Sequence, residues 1–362
     1  MKKLISLLLA AACTVGSSHA QNGGSLIAGQ RQPAVVSLLP QYESYTFEGQ
    51  RLNEASTSVT AFIPVKRNLA VAVRAGHAAA GAADGRSLSG LTDLYLSGTY
   101  ERGLGTGSAV LGLSGTLPSG RRQLDRADFD ALRLFSLEYY GFRVPGFGQG
   151  LSVAPSLTLA YPLGETLVLG IGASYIYRGP FEPLADMTGP YDPGDEVLLT
   201  GGMDASLGGA ASVSLDLTQV LYGADVLDGE TWYQAGASTI VTVQLRRPFG
   251  RNELWLLGRY RSRGDNLYRS SGALIGETET TTPNLFNLRG QYRFALARTV
   301  GLTVLGEGYF LQHTRDFPSQ FFEAGIAPSL AISRSVSIPA RFVYRFGDVN
   351  GFVIGVGIIA TM

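Results

Sequence analysis

From residue 59 onward the chain alternates rather than coils. In 59–65, Val59, Ala61, Ile63 and Val65 occupy every second position, between Thr60, Phe62 and Pro64. In 166–177 the apolar set is Leu167, Leu169, Ile171, Ala173, Tyr175 and Tyr177. In 284–294, Phe286, Leu288, Gly290, Tyr292 and Phe294 are interleaved with Asn287, Arg289, Gln291 and Arg293. The last such run sets Phe352, Ile354, Val356 and Ile358 between Val353, Gly355, Gly357 and Ile359. A period of two over ten or more residues predicts β-strands. Their length suits a tilted membrane strand of roughly 9–11 residues, where a soluble sandwich uses about five or six. Several carry Arg, Gln, Asn or Asp on the second face, so the polar side lies inward and the apolar side outward, as in a membrane barrel. The alternative, a β-sandwich, needs one dry core shared by two sheets. No stretch after Ala20 approaches the roughly 18–20 apolar residues of a transmembrane helix. The predicted fold class is all-β: a transmembrane antiparallel up-and-down β-barrel.

Connections divide into two kinds. Short turns are predicted near 66–68, 102–106, 162–165, 208–210, 247–252, 296–299 and 333–335. Long connections are predicted at 77–90, 118–149, 178–195, 222–231, 264–283 and 313–319. The two sets interleave, as short periplasmic turns and long outer loops do in outer-membrane barrels. A first strand near 41–48 and a tight outer turn at Gly347–Gly351 complete sixteen strands with both ends periplasmic. The first strand follows Pro40 and alternates poorly, so fourteen is the fallback. Residues 21–40 are read as an N-terminal segment able to tuck inside as a short plug, and 41–362 as the barrel. Tyr100, Tyr161, Tyr175, Tyr177, Tyr260, Tyr292, Phe310, Tyr344 and Phe346 lie near strand ends, where an interfacial girdle belongs.

Composition sharpens this picture. The chain of 362 residues is 45% hydrophobic but 16% charged, against roughly 25% charged in soluble domains. Basic and acidic residues balance at 29 each, which gives no bias toward a polyanion and argues against a nucleic-acid partner. Lys occurs only at Lys2, Lys3 and Lys66; the other 26 cations are Arg. Cys13 is the sole cysteine, which excludes an intrachain disulfide and a cysteine-based metal cluster. Lys2 and Lys3, the apolar run Leu4–Ala12, and Ser18-His19-Ala20 have the form of a secretory signal peptide cleaved after Ala20. The competing lipoprotein cut before Cys13 lacks the usual large aliphatic three positions upstream. The expected location is the outer membrane of a Gram-negative bacterium. The expected partners are outer-membrane lipid, the barrel-assembly machinery during biogenesis, and a small-molecule solute.

The stretch Ser89–Gln123, "SGLTDLYLSGTYERGLGTGSAVLGLSGTLPSGRRQ", contains Gly90, Asp93, Leu94, Leu96, Tyr100, Leu111, Leu113, Pro118, Ser119 and Gly120 in a hairpin pattern. It resembles the corresponding hairpin of the outer-membrane transporter family associated with phenol meta-pathway gene clusters. "LAYPLGETLVLGIGASYIYRG" at 159–179 is similar to a later hairpin of that family. Together they cover roughly a sixth of the chain. The resemblance implies a porin-like relative of hydrophobic-compound channels, passing small aromatic or apolar molecules. The chain departs from the usual barrel C-terminus by closing on Thr361 and Met362 rather than an aromatic.

Candidate chemistry lies on the lumen-facing parity. Arg259, Arg261, Arg289, Arg293, Arg341 and Arg345 fall there on late strands, with Glu307 and Glu323. Earlier strands place Asp93, Asp204 and Asp216 there, with Arg74. One reading is a basic wall facing a smaller acidic wall, whose transverse field would select polar or anionic solutes. The other is cross-strand pairing that fills the lumen. Residues 125–139, with Asp125, Asp128 and Asp130 ahead of Leu132, Leu134, Phe135 and Leu137, read as a short helix or a strand lip that narrows the pore if it folds inward. The acidic stretch with Asp186, Asp192, Asp195 and Glu196 reads as a solvated outer loop, with Ca²⁺ binding as the alternative. His77 and His313 are the only histidines after residue 20, without a recognisable nucleophile arrangement. The expectation is therefore a non-enzyme without cofactor, passing small solutes passively. The alternatives are a scaffold or adhesin acting through its outer loops and, third, a membrane-embedded hydrolase.

Overall fold

The computed structural model describes residues 33–121, 123–144, 146–187, 189–208, 210–278, 281–314 and 317–362. Eighteen strand segments pair into one antiparallel sheet, and its first strand closes on its last, Val35 opposite Thr361 and Thr46 opposite Asn350. Two strands are interrupted, at Thr92–Asp93 and at Gly357, so the wall is a closed barrel of sixteen strands. In chain order these are β1 (Val35–Phe47), β2 (Gln50–Lys66), β3 (Leu69–Ala82), β4 (Ser87–Leu91 and Leu94–Leu104) and β5 (Gly107–Leu117). Then come β6 (Ser152–Leu163), β7 (Leu167–Arg178), β8 (Glu196–Ser206), β9 (Ser212–Tyr222), β10 (Ser238–Phe249) and β11 (Asn252–Arg263). The last five are β12 (Leu285–Ala295), β13 (Val300–Leu311), β14 (Gln320–Ala331), β15 (Val336–Gly347) and β16 (Asn350–Val356 and Ile358–Thr361). None of the described residues forms a helix long and apolar enough to cross a membrane. Closure pairs every wall strand on both sides, which is what a strand wall in hydrocarbon requires.

All seven predicted short turns are turns, and all lie at the barrel end that carries the C-terminus. The structure differs from expectation in three places. β1 starts at Val35, so 35–40 is wall rather than plug; apart from Ser37 the residues of 35–40 are apolar on both faces, which hid the alternation. The remainder of the expected plug up to residue 32, and the signal segment, lie outside the described residues. The connection expected at 77–90 is a hairpin: Ala82 N–H donates to Arg86 O at 2.8 Å, and Asp84 Oδ1 accepts from Arg86 N–H at 3.1 Å. Gly85 supplies the positive φ (90°) that this tight turn needs. Finally, 222–231 and 264–283 are not plain loops, since they contribute to a second sheet above the wall. It is built from Tyr191–Asp192, Ala224–Leu227, Glu230–Gln234, Leu267–Ser270 and Ala273–Gly276.

Outward side chains are apolar at mid-wall, for instance Leu111, Leu157, Ile171 and Leu288, each more than one third exposed. Aromatics mark both ends of this band. Near the outer end Phe286, Phe310, Phe322 and Phe346 form a chain of ring contacts at 6.0, 5.7 and 5.8 Å. Near the periplasmic end Tyr292 contacts Phe249 at 6.3 Å and Phe294 at 4.6 Å. The lumen holds the molecule's packed core. The long segment between β5 and β6 folds inward and contains the helix α1 (Arg126–Phe135), whose N-cap Asp125 accepts the Asp128 N–H at 2.8 Å. Its Phe135, Tyr140, Phe142 and Phe147 are buried against Tyr45, Leu52, Ala78, Leu88, Val343 and Val353 of the inner wall. Burying four aromatic side chains contributes on the order of 6–12 kcal/mol to docking the segment.

Candidate functional site

The inward segment is held at its base, its middle and its tip. At the base, the interruption of β4 points Asp93 inward, where Oδ1 accepts the Gly120 N–H at 2.9 Å and Oδ2 the Gln149 N–H at 2.7 Å. One carboxylate thus ties the point where the segment leaves β5 to the point where it returns. Ser119 Oγ accepts the Leu94 N–H at 2.8 Å beside it. A Cβ at Gly120 would collide with the Phe147 and Leu91 carbonyls, so no other residue fits without moving backbone. Asp93, Ser119 and Gly120 therefore share one physical role, that of launching the chain into the lumen.

In the middle, Glu43 on β1 and Glu54 on β2 stand directly opposite each other and are both buried. Glu43 accepts the Arg143 N–H at 2.8 Å, and Glu54 accepts the Val144 N–H at 3.1 Å. The Arg143 guanidinium donates to Leu39 O at 3.1 Å, Gln41 Oε1 at 3.3 Å and Ser58 Oγ at 2.6 Å. Burial holds that guanidinium below its ordinary pKa, and Glu43 beside it works in the opposite direction. At the tip, Arg345 on β15 is 4% exposed. It donates to Glu323 Oε1 at 2.9 and 2.6 Å, and to the Tyr139 and Tyr140 carbonyls at 3.0 and 2.7 Å. Its guanidinium also lies 4.0 Å from the Tyr45 ring centroid and 4.7 Å from that of Phe321.

Between this tip and the wall lies a cavity of about 160 Å³, lined by β11–β16 and by Glu43 and Tyr45 of β1. Here the predicted arginines divide. Glu307 is in register with Arg289 and 3.6 Å from it, and Asn287 Nδ2 donates to Glu307 Oε1 at 2.9 Å. Arg345 is paired with Glu323, and Arg261 with Glu138 of the inward segment. Arg259 and Arg341 line the same cavity without an ion pair among the described residues, and the Arg341 Nε is buried without a hydrogen-bond partner. Arg293 lies farther toward the periplasmic end, exposed to the lumen, and Arg74 stacks on Tyr95 at 5.0 Å. Cross-strand pairing therefore takes up part of the basic set and leaves part of it facing open volume.

The acidic residues do not form a single opposing wall. Asp93 serves the clasp. Asp204 and Asp216 sit on neighbouring strands β8 and β9 toward the periplasmic end, offset along the axis from Arg345 near the outer end. In the loop above β7 and β8, Asp195 accepts from Tyr175 Oη and the Arg178 N–H, and Glu196 pairs with Arg178. Among the described residues no three His, Cys, Asp or Glu side chains are gathered as a metal site. His77 lies on the outward parity of β3, opposite Thr57. His313 Nδ1 is 3.3 Å from Ser319 Oγ at the outer rim, a meeting the sequence did not suggest. Among the described residues no carboxylate is bonded to that ring; Asp348 instead accepts the Ser319 and Gln320 N–H groups at 2.7 and 3.0 Å. Among the described residues, then, none stands as the orienting acid of a hydrolytic triad.

Sequence reasoning did not single out Glu43, Glu54 or Arg143. The two glutamates lie on the inward parity of strands whose alternation is weak, and Arg143 sits in a long connection whose path no periodicity reveals.

No protein-family model and no curated protein matches this sequence. Solved structures do resemble it. CdiB from Acinetobacter baumannii aligns at 9% identity and TM-score 0.54, over 90% of this chain and 60% of its own. Pseudomonas putida OprB aligns at 8% identity and TM-score 0.47, over 91% and 94%. The CymD monoaromatic hydrocarbon channel aligns at 13% identity and TM-score 0.45, over 93% and 90%. The chain has the fold of an outer-membrane β-barrel.

Proposed function

We propose that this protein is a passive channel of a Gram-negative outer membrane, reached after cleavage of residues 1–20, that passes small solutes, aromatic or hydrophobic ones among them. The observation that carries this reading is the lumen itself. A sixteen-strand wall is narrowed by an inward segment, yet Arg259 and Arg341 still face an unfilled cavity. A constriction lined by fixed charges at low dielectric is what selects solutes in a diffusion pore. Neither cofactor nor covalent step is required. The narrower placement, in the phenol meta-pathway transporter family, rests on the Ser89–Gln123 hairpin, whose Asp93 and Gly120 have a common structural purpose here.

Planar-bilayer recording of the purified chain tests the channel. Discrete conductance steps in KCl are expected; a folded, heat-modifiable barrel that gives none would refute it. The second reading is a scaffold or adhesin. The five-stranded sheet raised by the outer connections favours it, since it offers strand surface beyond the membrane. A silent bilayer together with cell-surface binding lost on excision of 223–237 would select that reading.

A further inference from the structure

We infer that the cavity beside the inward segment is a binding site for a single-ring aromatic carboxylate, an inference that deepens the channel reading and rests on it. Size is the first argument. At about 160 Å³ the cavity matches one aromatic ring, since an apolar cavity of roughly 150 Å³ holds benzene. Lining chemistry is the second. Tyr139, Tyr309 and Phe317 line it with aromatic rings, and Leu285 and Leu311 add aliphatic wall. Such a surface takes a flat apolar body.

Charge is the third argument and the one that sets the class. Arg261, Arg289 and Arg345 are already matched by Glu138, Glu307 and Glu323. Arg259 and Arg341 form no ion pair among the described residues, the lining also carries Glu43, and the buried Arg341 Nε lacks an acceptor. Five guanidiniums against four carboxylates leave the lining net basic, which suits a ligand that brings its own anion. The fork of a guanidinium fits the two oxygens of a carboxylate. A neutral ring would leave the buried Arg341 Nε without an acceptor, and an organic cation would meet the net positive lining.

Equilibrium binding of labelled benzoate to the full-length barrel in nanodiscs, paired with KCl conductance of the same preparation, tests this. Saturable binding of one benzoate per barrel is expected. Benzyl alcohol, acetate and benzylammonium should each bind at least about tenfold more weakly, since each lacks the ring or the charge-assisted bonds. Arg259→Gln and Arg341→Gln should each weaken benzoate by about tenfold or more, with benzyl alcohol unaffected. Arg341→Lys, which retains the charge in case the Gln variant folds poorly, should fall between Arg341→Gln and the parent. Benzyl alcohol binding as tightly as benzoate would overturn the inference, as would variants that bind benzoate like the parent. Conductance without saturable benzoate binding overturns the site and leaves the channel standing. Benzoate binding in a silent barrel keeps the site and removes the channel.

Discussion

Arg345 offers the cleanest way to ask whether the inward segment sets the pore. It makes four hydrogen bonds, two within the wall to Glu323 and two onto the segment at the Tyr139 and Tyr140 carbonyls. Arg345→Met alone would leave Glu323 buried and unpaired, at a cost of about 3–5 kcal/mol that belongs to the wall. Pairing it with Glu323→Gln removes most of that cost and isolates the contribution to docking. The two bonds onto the segment come from a charged donor and are worth about 1.5–3 kcal/mol each, so docking weakens by roughly 3–6 kcal/mol. At about 1.4 kcal/mol per tenfold, the undocked population rises roughly a hundredfold to ten-thousandfold. The aromatic core still holds the segment most of the time, so the double variant should show brief excursions to higher conductance rather than a permanently wide pore. Trypsin added from the outer side of proteoliposomes should cut within 121–147 faster than in the parent. Unchanged conductance noise together with unchanged cleavage would refute the reasoning that Arg345 pins the segment.

Three further outcomes follow from the same geometry. Asp93→Ala removes the acceptor for both the Gly120 and Gln149 N–H groups and should cost about 2–4 kcal/mol, read as a lower urea midpoint, with Asp93→Asn intermediate. Gly120→Ala should widen single-channel current fluctuations because its Cβ meets the Phe147 and Leu91 carbonyls, and steady current like the parent's would count against the clasp. Leu111→Arg, on the outward face, should cost about 2–4 kcal/mol and reduce heat-modifiable product, whereas Thr158→Arg, facing the lumen one strand away, should fold and lower conductance.

The Ser89–Gln123 motif shows how far a pattern can be read. Its spacing marked a hairpin correctly, and β4 and β5 form it with a turn at residues 105–106. That Asp93 and Gly120 belong together was not visible, because they are separated by the whole hairpin and meet only when strand pairing sets their register. The Asp84-Gly85 pair was a legible hairpin signal, obscured by the small residues of 75–83 that show no alternation on either face.

What the sequence alone determined was the wall. Lipid on one side and polar lumen on the other impose a period of two, and short turns break it at regular intervals, so strand number, the order of the connections and the facing of the arginines were all local properties. Only the tertiary structure decided what fills the lumen. The path of 118–151 depends on contacts far apart in the chain, such as Arg143 with Glu43 and Arg345 with Tyr140, and no local pattern encodes them. The same holds for the arginines: their parity was local, but which of them meet a carboxylate depended on the register between strands and on Glu138 arriving from the inward segment. Arg259 and Arg341 take no part in that pairing, and they face a cavity that the segment borders without filling.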